Sequence, residues 1–309
     1  TELWPNFLRL SWRRHIPVMM MNGRISDRSM KRYSLIRPFT EKMLQQIRRF
    51  CMQSSFDAKH IIAMGAPTDR ILVTGNTKYD QTYATVSEEE RRALKKEFHF
   101  DGAGPILVAG STHGGEEEIL LRTFREVLKI YPDARLLLAV REVTRAAKVK
   151  AQIFLHGFSV IRRTEMGQGA DSGRPHQVVI LDTIGELGRL YSMADVVFVG
   201  GSFVKVGGHN ILEPAAHGKP VIVGPYMFNF REIFELLSKR GVCLMAKDEK
   251  DFRGQLLALL ADRERMASMG RKALEVVAEN QGATRRNIEC FEALIRQCHV
   301  QLKEAPHEP

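Results

Sequence analysis

Ten short apolar or β-branched runs recur along the chain, and most are apolar throughout rather than alternating. They are Pro17–Met21, Arg49–Gln53, Ile71–Thr74, Pro105–Gly110, Arg135–Val140, Phe158–Arg162, Gln177–Asp182, Asp195–Gly201, Pro220–Gly224 and Gly241–Met245. A strand without alternation belongs to a parallel sheet covered on both faces. Between the runs lie helical patterns, such as Leu120, Phe124, Val127, Leu128 and Tyr131 on one face after Glu116. The repeating order of strand, loop and helix predicts a doubly wound α/β fold. Three runs precede the charged stretch VSEEERRALKKEFHFDGAG (Val86–Gly104) and seven follow it. Two Rossmann-like domains are therefore expected, over residues 1–85 and 86–309, with the first incomplete at its N-terminus.

At 309 residues and 44% apolar content, the chain can bury a sizeable core. No stretch approaches the roughly 18 uncharged apolar residues of a membrane span. Cys51, Cys243, Cys290 and Cys298 form no C-x-x-C pair, which argues against a disulfide framework and a zinc site. Of the net charge of +10, the first 50 residues carry +8, with eleven Lys and Arg against three acids. That excess suits nucleic acid, an anionic membrane surface or a phosphorylated substrate. Nucleic acid is the weakest of these, because no RNP-like, zinc-finger or helix-turn-helix pattern accompanies the charge.

In open α/β sheets ligands bind beyond the carboxyl ends of the strands. Four such ends in the second half are unusual. After Gly110 comes STHGGEEE, where Ser111 or Thr112 can cap a helix and glycines can turn amides toward an anion. Val140 is followed by Arg141. After Asp182, Gly185 breaks the chain before a helix, leaving amides around Ile184 to Glu186 for a ring or phosphate. Finally, Gly200–Pro225 holds six glycines, three prolines and a single carboxylate, Glu213. There Asn210 is a helix cap, and Glu213 is placed to accept both hydroxyls of a ribose.

GSTHGGEEE, DTIGELGRLYSMADVVFVGGS and GGHNILEPAAHGKPVIVGP together resemble the nucleotide-sugar half of the 3-deoxy-D-manno-octulosonic acid (Kdo) transferases of lipopolysaccharide synthesis. TELWPN, NGRISDRS and VTGNTKYD resemble the same family's acceptor-domain segments, in the same order, so the similarity runs from Thr1 to about Ala283. The resemblance implies a GT-B glycosyltransferase that transfers Kdo from CMP-Kdo to a lipid A precursor, with inversion, no cofactor and no metal. It implies CMP contacts at Val140 and Arg141, at Ile184, Gly185 and Glu186, and at Asn210, Ile211, Leu212 and Glu213. Ser111, Thr112, Gly201 and Ser202 are further candidate donor contacts. Lys78 matches a lysine that stabilises transition-state charge.

Two departures follow from the same comparison. The family motif Pro-Arg-His-Pro-Glu-Arg is VREVTRA here, keeping Arg141 and Arg145 but not the histidine or second proline. The family's general base, a Glu in a glycine-rich N-terminal loop, and its acidic partner have no counterpart, so the chain is expected to bind a cytidine nucleotide but transfer Kdo poorly. The basic N-terminal region then reads as a membrane-facing patch, with the protein peripheral at the cytoplasmic face of the inner membrane. Two alternatives stay open: another GT-B enzyme using a UDP-sugar, and a non-catalytic nucleotide-binding remnant.

Overall fold

The computed structural model describes residues 3–81, 83, 85–167 and 175–304; Thr1, Glu2 and residues 305–309 lie outside them, as does the Cys298 side chain. The chain divides into two compact units, residues 1–81 with 278–309, and residues 82–277.

In the first unit, strands β1 (Val18–Gly23), β2 (Ile47–Met52) and β3 (Ile71–Val73) form a parallel sheet in the order β1-β2-β3. Helix α1 (Pro5–Arg13) precedes β1, α2 (Asp27–Ser34) and α3 (Arg37–Leu44) connect β1 to β2, and α4 (Ser55–Ala63) connects β2 to β3. Leu44, Phe50, Met52, Ile61 and Met64 are wholly buried between helices and sheet. Each such side chain contributes about 1.5–3 kcal/mol.

The second unit is built on seven parallel strands: β4 (Ile106–Thr112), β5 (Arg135–Val140), β6 (Val160–Arg162), β7 (Val178–Leu181), β8 (Val196–Val199), β9 (Val221–Val223) and β10 (Cys243–Met245). Their order is β10-β9-β8-β4-β5-β7-β6. The chain grows outward from β4 to one side and then returns to lay β8 on the other, so the topological switch lies between β4 and β8. Helices α5 (Glu88–Glu97), α6 (Glu116–Ile130), α7 (Ala146–Leu155), α8 (Leu187–Leu190), α9 (Leu212–Ala216), α10 (Arg231–Lys239), α11 (Glu249–Ala261) and α12 (Arg263–Asn280) surround the sheet. Leu120, Phe124 and Val127 of α6 pack on Phe158 and Phe198, as their helical spacing predicts. Each of the ten apolar runs overlaps a strand.

The charged stretch after Val86 forms α5, opened by a reciprocal capping box between Ser87 and Glu90 and anchored by the buried Phe98 and Phe100. One feature of the expected domain plan differs. The C-terminal helix α13 (Ala283–Glu304) groups with the first unit instead of the second. Polar bonds fix it there: Arg286 donates to the Thr74 carbonyl at 2.7 Å, Thr74 donates to the fully buried Asn287 at 3.1 Å, and Asp80 accepts the Gly282 amide at 2.6 Å.

Candidate functional site

The switch between β4 and β8 is where backbone comes closest. The Gly200 amide donates to the Gly110 carbonyl at 2.8 Å. A Cβ on Gly200 would stand 2.4 Å from the Ser111 carbonyl oxygen, and one on Gly110 would meet the Tyr191 hydroxyl at 2.0 Å, so neither position admits a side chain. Ser111 itself takes φ of +56°, turning the chain sharply out of β4.

Glu116 holds these two strand ends together. Its fully buried carboxylate accepts the amides of Gly201 at 2.8 Å, Ser202 at 3.0 Å, Phe203 at 2.9 Å and His113 at 2.9 Å. The adjacent Glu117 accepts from Thr112 at 3.1 Å and from the two terminal guanidinium nitrogens of Arg145 at 3.0 and 3.2 Å. The Ser202 hydroxyl donates to the Val199 carbonyl and accepts the Gly224 amide. The polar groups of Thr112 and Ser202 and the Gly201 amide, expected to meet a ligand, are thus engaged within the loops. Of the four candidate donor contacts only Ser111 keeps a side chain with no hydrogen bond among the described residues. The helix cap expected at Ser111 or Thr112 falls instead at Gly115, with φ of +95°.

Around this frame stand the expected nucleotide residues. The cap of α9 falls at Ile211 and not at Asn210 as expected; Asn210, one residue earlier, accepts the Leu212 amide at 3.0 Å, and its side-chain amide donates to Glu213 at 3.1 Å. Glu213 is half-buried, and burial lifts its carboxyl above the usual range against that one hydrogen bond. Ile211 and Leu212 are fully buried, so they position Asn210 and Glu213 rather than touch a ligand with their side chains. Val140 is likewise a core side chain. Arg141, next to it, is exposed, and its guanidinium makes no hydrogen bond or ion pair among the described residues. The turn before α8 presents Ile184 at 88% exposure beside Gly185, where added atoms would find open space. Glu186 is engaged: burial would raise its carboxyl, but Thr183, Arg163 and Arg189 donate to it and hold it below the usual range. A Cβ on Gly188 would lie 3.9 Å from Glu213 Oε2, which puts the start of α8 beside the α9 carboxylate.

In the first unit, Lys78 lies in a single 3₁₀ turn, Thr77–Asp80, its amide donating to Asn76 Oδ1 at 3.0 Å. The Thr77 amide donates to Asn22 Oδ1 at 3.2 Å, which joins the GNTKYD and NGRISDRS segments at the ends of β3 and β1.

Sequence reasoning overlooked several groups. His113 and His209 meet across the switch with their Nε2 atoms 2.8 Å apart, a pairing no local pattern announces. In the first unit the buried Asp57 accepts the Ile25 amide at 2.8 Å, while His60 Nδ1 lies 3.0 Å from the Ile25 carbonyl, so two residues of α4 clamp the loop after β1. The Ser54-x-x-Asp57 spacing, a helix-start signature, was the available signal.

Comparison with known proteins accords with this arrangement. A family model described as 3-deoxy-D-manno-octulosonic-acid transferase (kdotransferase) matches residues 1–81, and one for glycosyl transferases group 1 matches residues 134–276. The 3-deoxy-D-manno-octulosonic acid transferase of Haemophilus influenzae is 36% identical over 298 residues, covering 96% of this chain and 69% of its own length. The chain belongs to the Kdo transferase family. A second member, from Bordetella pertussis, is 30% identical over 94% of this chain and 67% of its own. Among solved structures, the C-terminal CMP-Kdo binding domain of WaaA from Acinetobacter baumannii aligns with TM-score 0.55 and 29% identity, over 61% of this chain and 96% of that domain. A putative UDP-N-acetylglucosamine 2-epimerase from Listeria monocytogenes aligns over 94% of this chain and 71% of its own, with TM-score 0.62 at 14% identity, a likeness of fold alone. The chain is a Kdo glycosyltransferase by family, with the Rossmann-like units of the GT-B type. The seven-stranded unit is the one that the glycosyl transferases group 1 model matches.

Proposed function

We propose that this Kdo transferase takes Kdo from CMP-Kdo and attaches it to a lipid A precursor, with inversion at the transferred carbon. The observation that carries the donor assignment is the pairing of opposites at one set of strand ends: the half-buried Glu213 carboxylate, which among the described residues accepts only from Asn210, and the Arg141 guanidinium, which has no hydrogen bond or ion pair among them. A carboxylate there suits two vicinal ribose hydroxyls, and a guanidinium suits the phosphate that leaves with the nucleotide. Ile184 and Gly185 offer an apolar, open turn to the base. The likeness to a CMP-Kdo binding domain supports the cytidine assignment.

In the reaction the bond from the Kdo anomeric carbon to the phosphate oxygen breaks, and a lipid A hydroxyl attacks from the opposite face. Arg141 would neutralise the departing phosphate, and Lys78 would stabilise charge as it develops. The proton of the acceptor hydroxyl passes to a base that no residue of this chain is assigned to supply.

The acceptor is a phosphorylated lipid, and the first unit has a surface suited to an anionic membrane. Trp4, Phe7, Leu10 and Trp12 in and before α1, Leu35 and Ile36 between α2 and α3, and Phe39 in α3 are exposed. They are interspersed with the exposed Arg9, Arg13, Arg14, Arg32 and Arg37. Apolar side chains that enter the interface, together with cations that meet its charge, are the composition of a peripheral membrane surface. No described helix is long and apolar enough to cross a membrane.

The test is transfer itself. Incubation with CMP-Kdo and a lipid A precursor should release CMP and add the mass of Kdo to the lipid, slowly for want of an assigned base, and Lys78→Ala should lower that rate further, by about 10²- to 10³-fold. Sugar transfer from a UDP-sugar, with none from CMP-Kdo, would refute the reading.

A further inference from the structure

His113 follows β4 and His209 precedes α9, 96 residues later, and their rings are parallel to within 2° with Nε2 facing Nε2 at 2.8 Å. Two neutral imidazoles at that separation share a single proton, one nitrogen donating and the other accepting. Both are seated on the same buried carboxylate. Glu116 Oε2 accepts the His113 amide and also the amide of Gly201, over whose backbone the His209 ring lies; a Cβ there would come 3.0 Å from the ring. The pair therefore has a fixed position beyond the strand ends.

Most of its acidic neighbours are engaged. Glu116 is saturated by four amides, Glu117 is paired with Arg145, Glu213 is bound by Asn210, and Lys205 on the same loop is exposed. Arg141, at the end of β5, donates its amide to the Thr112 carbonyl beside His113, and its guanidinium, like the exposed Glu142 carboxylate that follows it, has no ion pair among the described residues. Burial first, then His113 and Arg141, push the His209 imidazole down to about 4. The Nδ1 atoms of both rings have no hydrogen-bond partner among the described residues. The Arg141 guanidinium, which makes no ion pair among the described residues, thus stands at the same strand ends as the two imidazoles, and an anion bound there would meet all three.

We infer that the His113–His209 pair is a proton-accepting anion subsite, in which a phosphate group bound against Arg141 draws one proton onto the pair. The proton comes from solvent, no covalent bond changes, and the pair passes from neutral, with two N–H groups, to a monocation with three. It thereby gains a donor and a charge when the phosphate is present and stays neutral when it is absent. The inference rests on the reading of this site as a nucleoside-monophosphate site.

The experiment is an NMR titration of the imidazole Cε1–H signals from pH 4 to 8, assigned with His113→Gln and His209→Gln, on the free protein, with cytidine and with CMP. CMP should raise the His209 midpoint by about one to three pH units, the usual effect of an opposite charge at that range, and cytidine should not. Arg141→Ala should raise the midpoint of the free protein. If CMP binds and the midpoint stays where it is, or if cytidine moves it equally, the subsite is refuted while the nucleotide reading stands. If CMP fails to bind at any pH, both fall together.

Discussion

Glu116 and Gly201 are 85 residues apart in the chain and are joined by a 2.8 Å hydrogen bond from the glycine amide to the buried carboxylate. That contact, with those to Ser202 and Phe203, is what makes the β4 and β8 loops a single rigid floor for the site. A fixed negative group from the protein thus occupies amides that a glycine-rich loop would otherwise offer to a ligand anion, and phosphate recognition passes to side chains.

Removing that carboxylate should therefore be felt as lost stability before lost binding. Glu116→Ala leaves several buried amides without acceptors, each worth about 1–3 kcal/mol, so a loss of at least about 3 kcal/mol is expected in urea unfolding. Glu118→Ala, in the same turn but exposed, should change stability by less than about 0.5 kcal/mol.

Glu213 should show the reverse trade. Because burial raises its carboxyl, the folded chain holds this proton more tightly than the unfolded chain. That contribution to stability is fully present below the unfolded value and is lost as pH rises through the folded one. Glu213→Gln should consequently melt higher than the parent at pH 8 and no higher at pH 3.5, while binding CMP at least about tenfold more weakly. Equal melting at both pH values would contradict the assigned burial cost.

Arg141 separates phosphate from nucleoside. Arg141→Ala should weaken CMP about 10- to 100-fold, the value of one charge-assisted contact, and leave cytidine unchanged within about twofold. Parallel calorimetric titrations read both; an equal loss for the two ligands would place Arg141 elsewhere than at the phosphate.

Acid stability has a separate anchor in the second unit. Burial would raise the Glu165 carboxyl, but Lys150 at 2.7 Å, the Arg162 amide at 2.9 Å and the Arg162 guanidinium at 3.0 Å outweigh it and hold it at about 2. Since the folded value lies below the usual 4.5, this stability is present above 4.5 and is lost as pH falls toward 2. Lys150→Met should lower stability by about 1 kcal/mol at pH 7, with the difference shrinking toward pH 2, as urea midpoints at the two pH values would show.

Much of this architecture was legible because it is local. A buried parallel strand must be apolar on both faces, so runs such as Arg135–Val140 and Gln177–Asp182 announced themselves, and the glycines at the ends of β4 and β8 marked close backbone. What stayed hidden depends on distant partners. Glu116 reads as an ordinary first-turn acid until Gly201 arrives beside it, and neither His113 nor His209 carries a sign of the other. Helix α13 is amphipathic, a pattern that says a face is buried but not on which sheet, so its return to the first unit through Arg286 and Asn287 could not be seen. The capping box at Ser87 and Glu90 was visible in principle and was masked by the surrounding run of charge.

The most direct measurement is calorimetric titration of the protein with CMP and with UMP, repeated on Glu213→Ala. The cytidine-nucleotide account predicts that CMP binds in preference to UMP and that Glu213→Ala loses CMP by about tenfold or more. Equal binding of the two nucleotides, or undiminished CMP binding by Glu213→Ala, would contradict it.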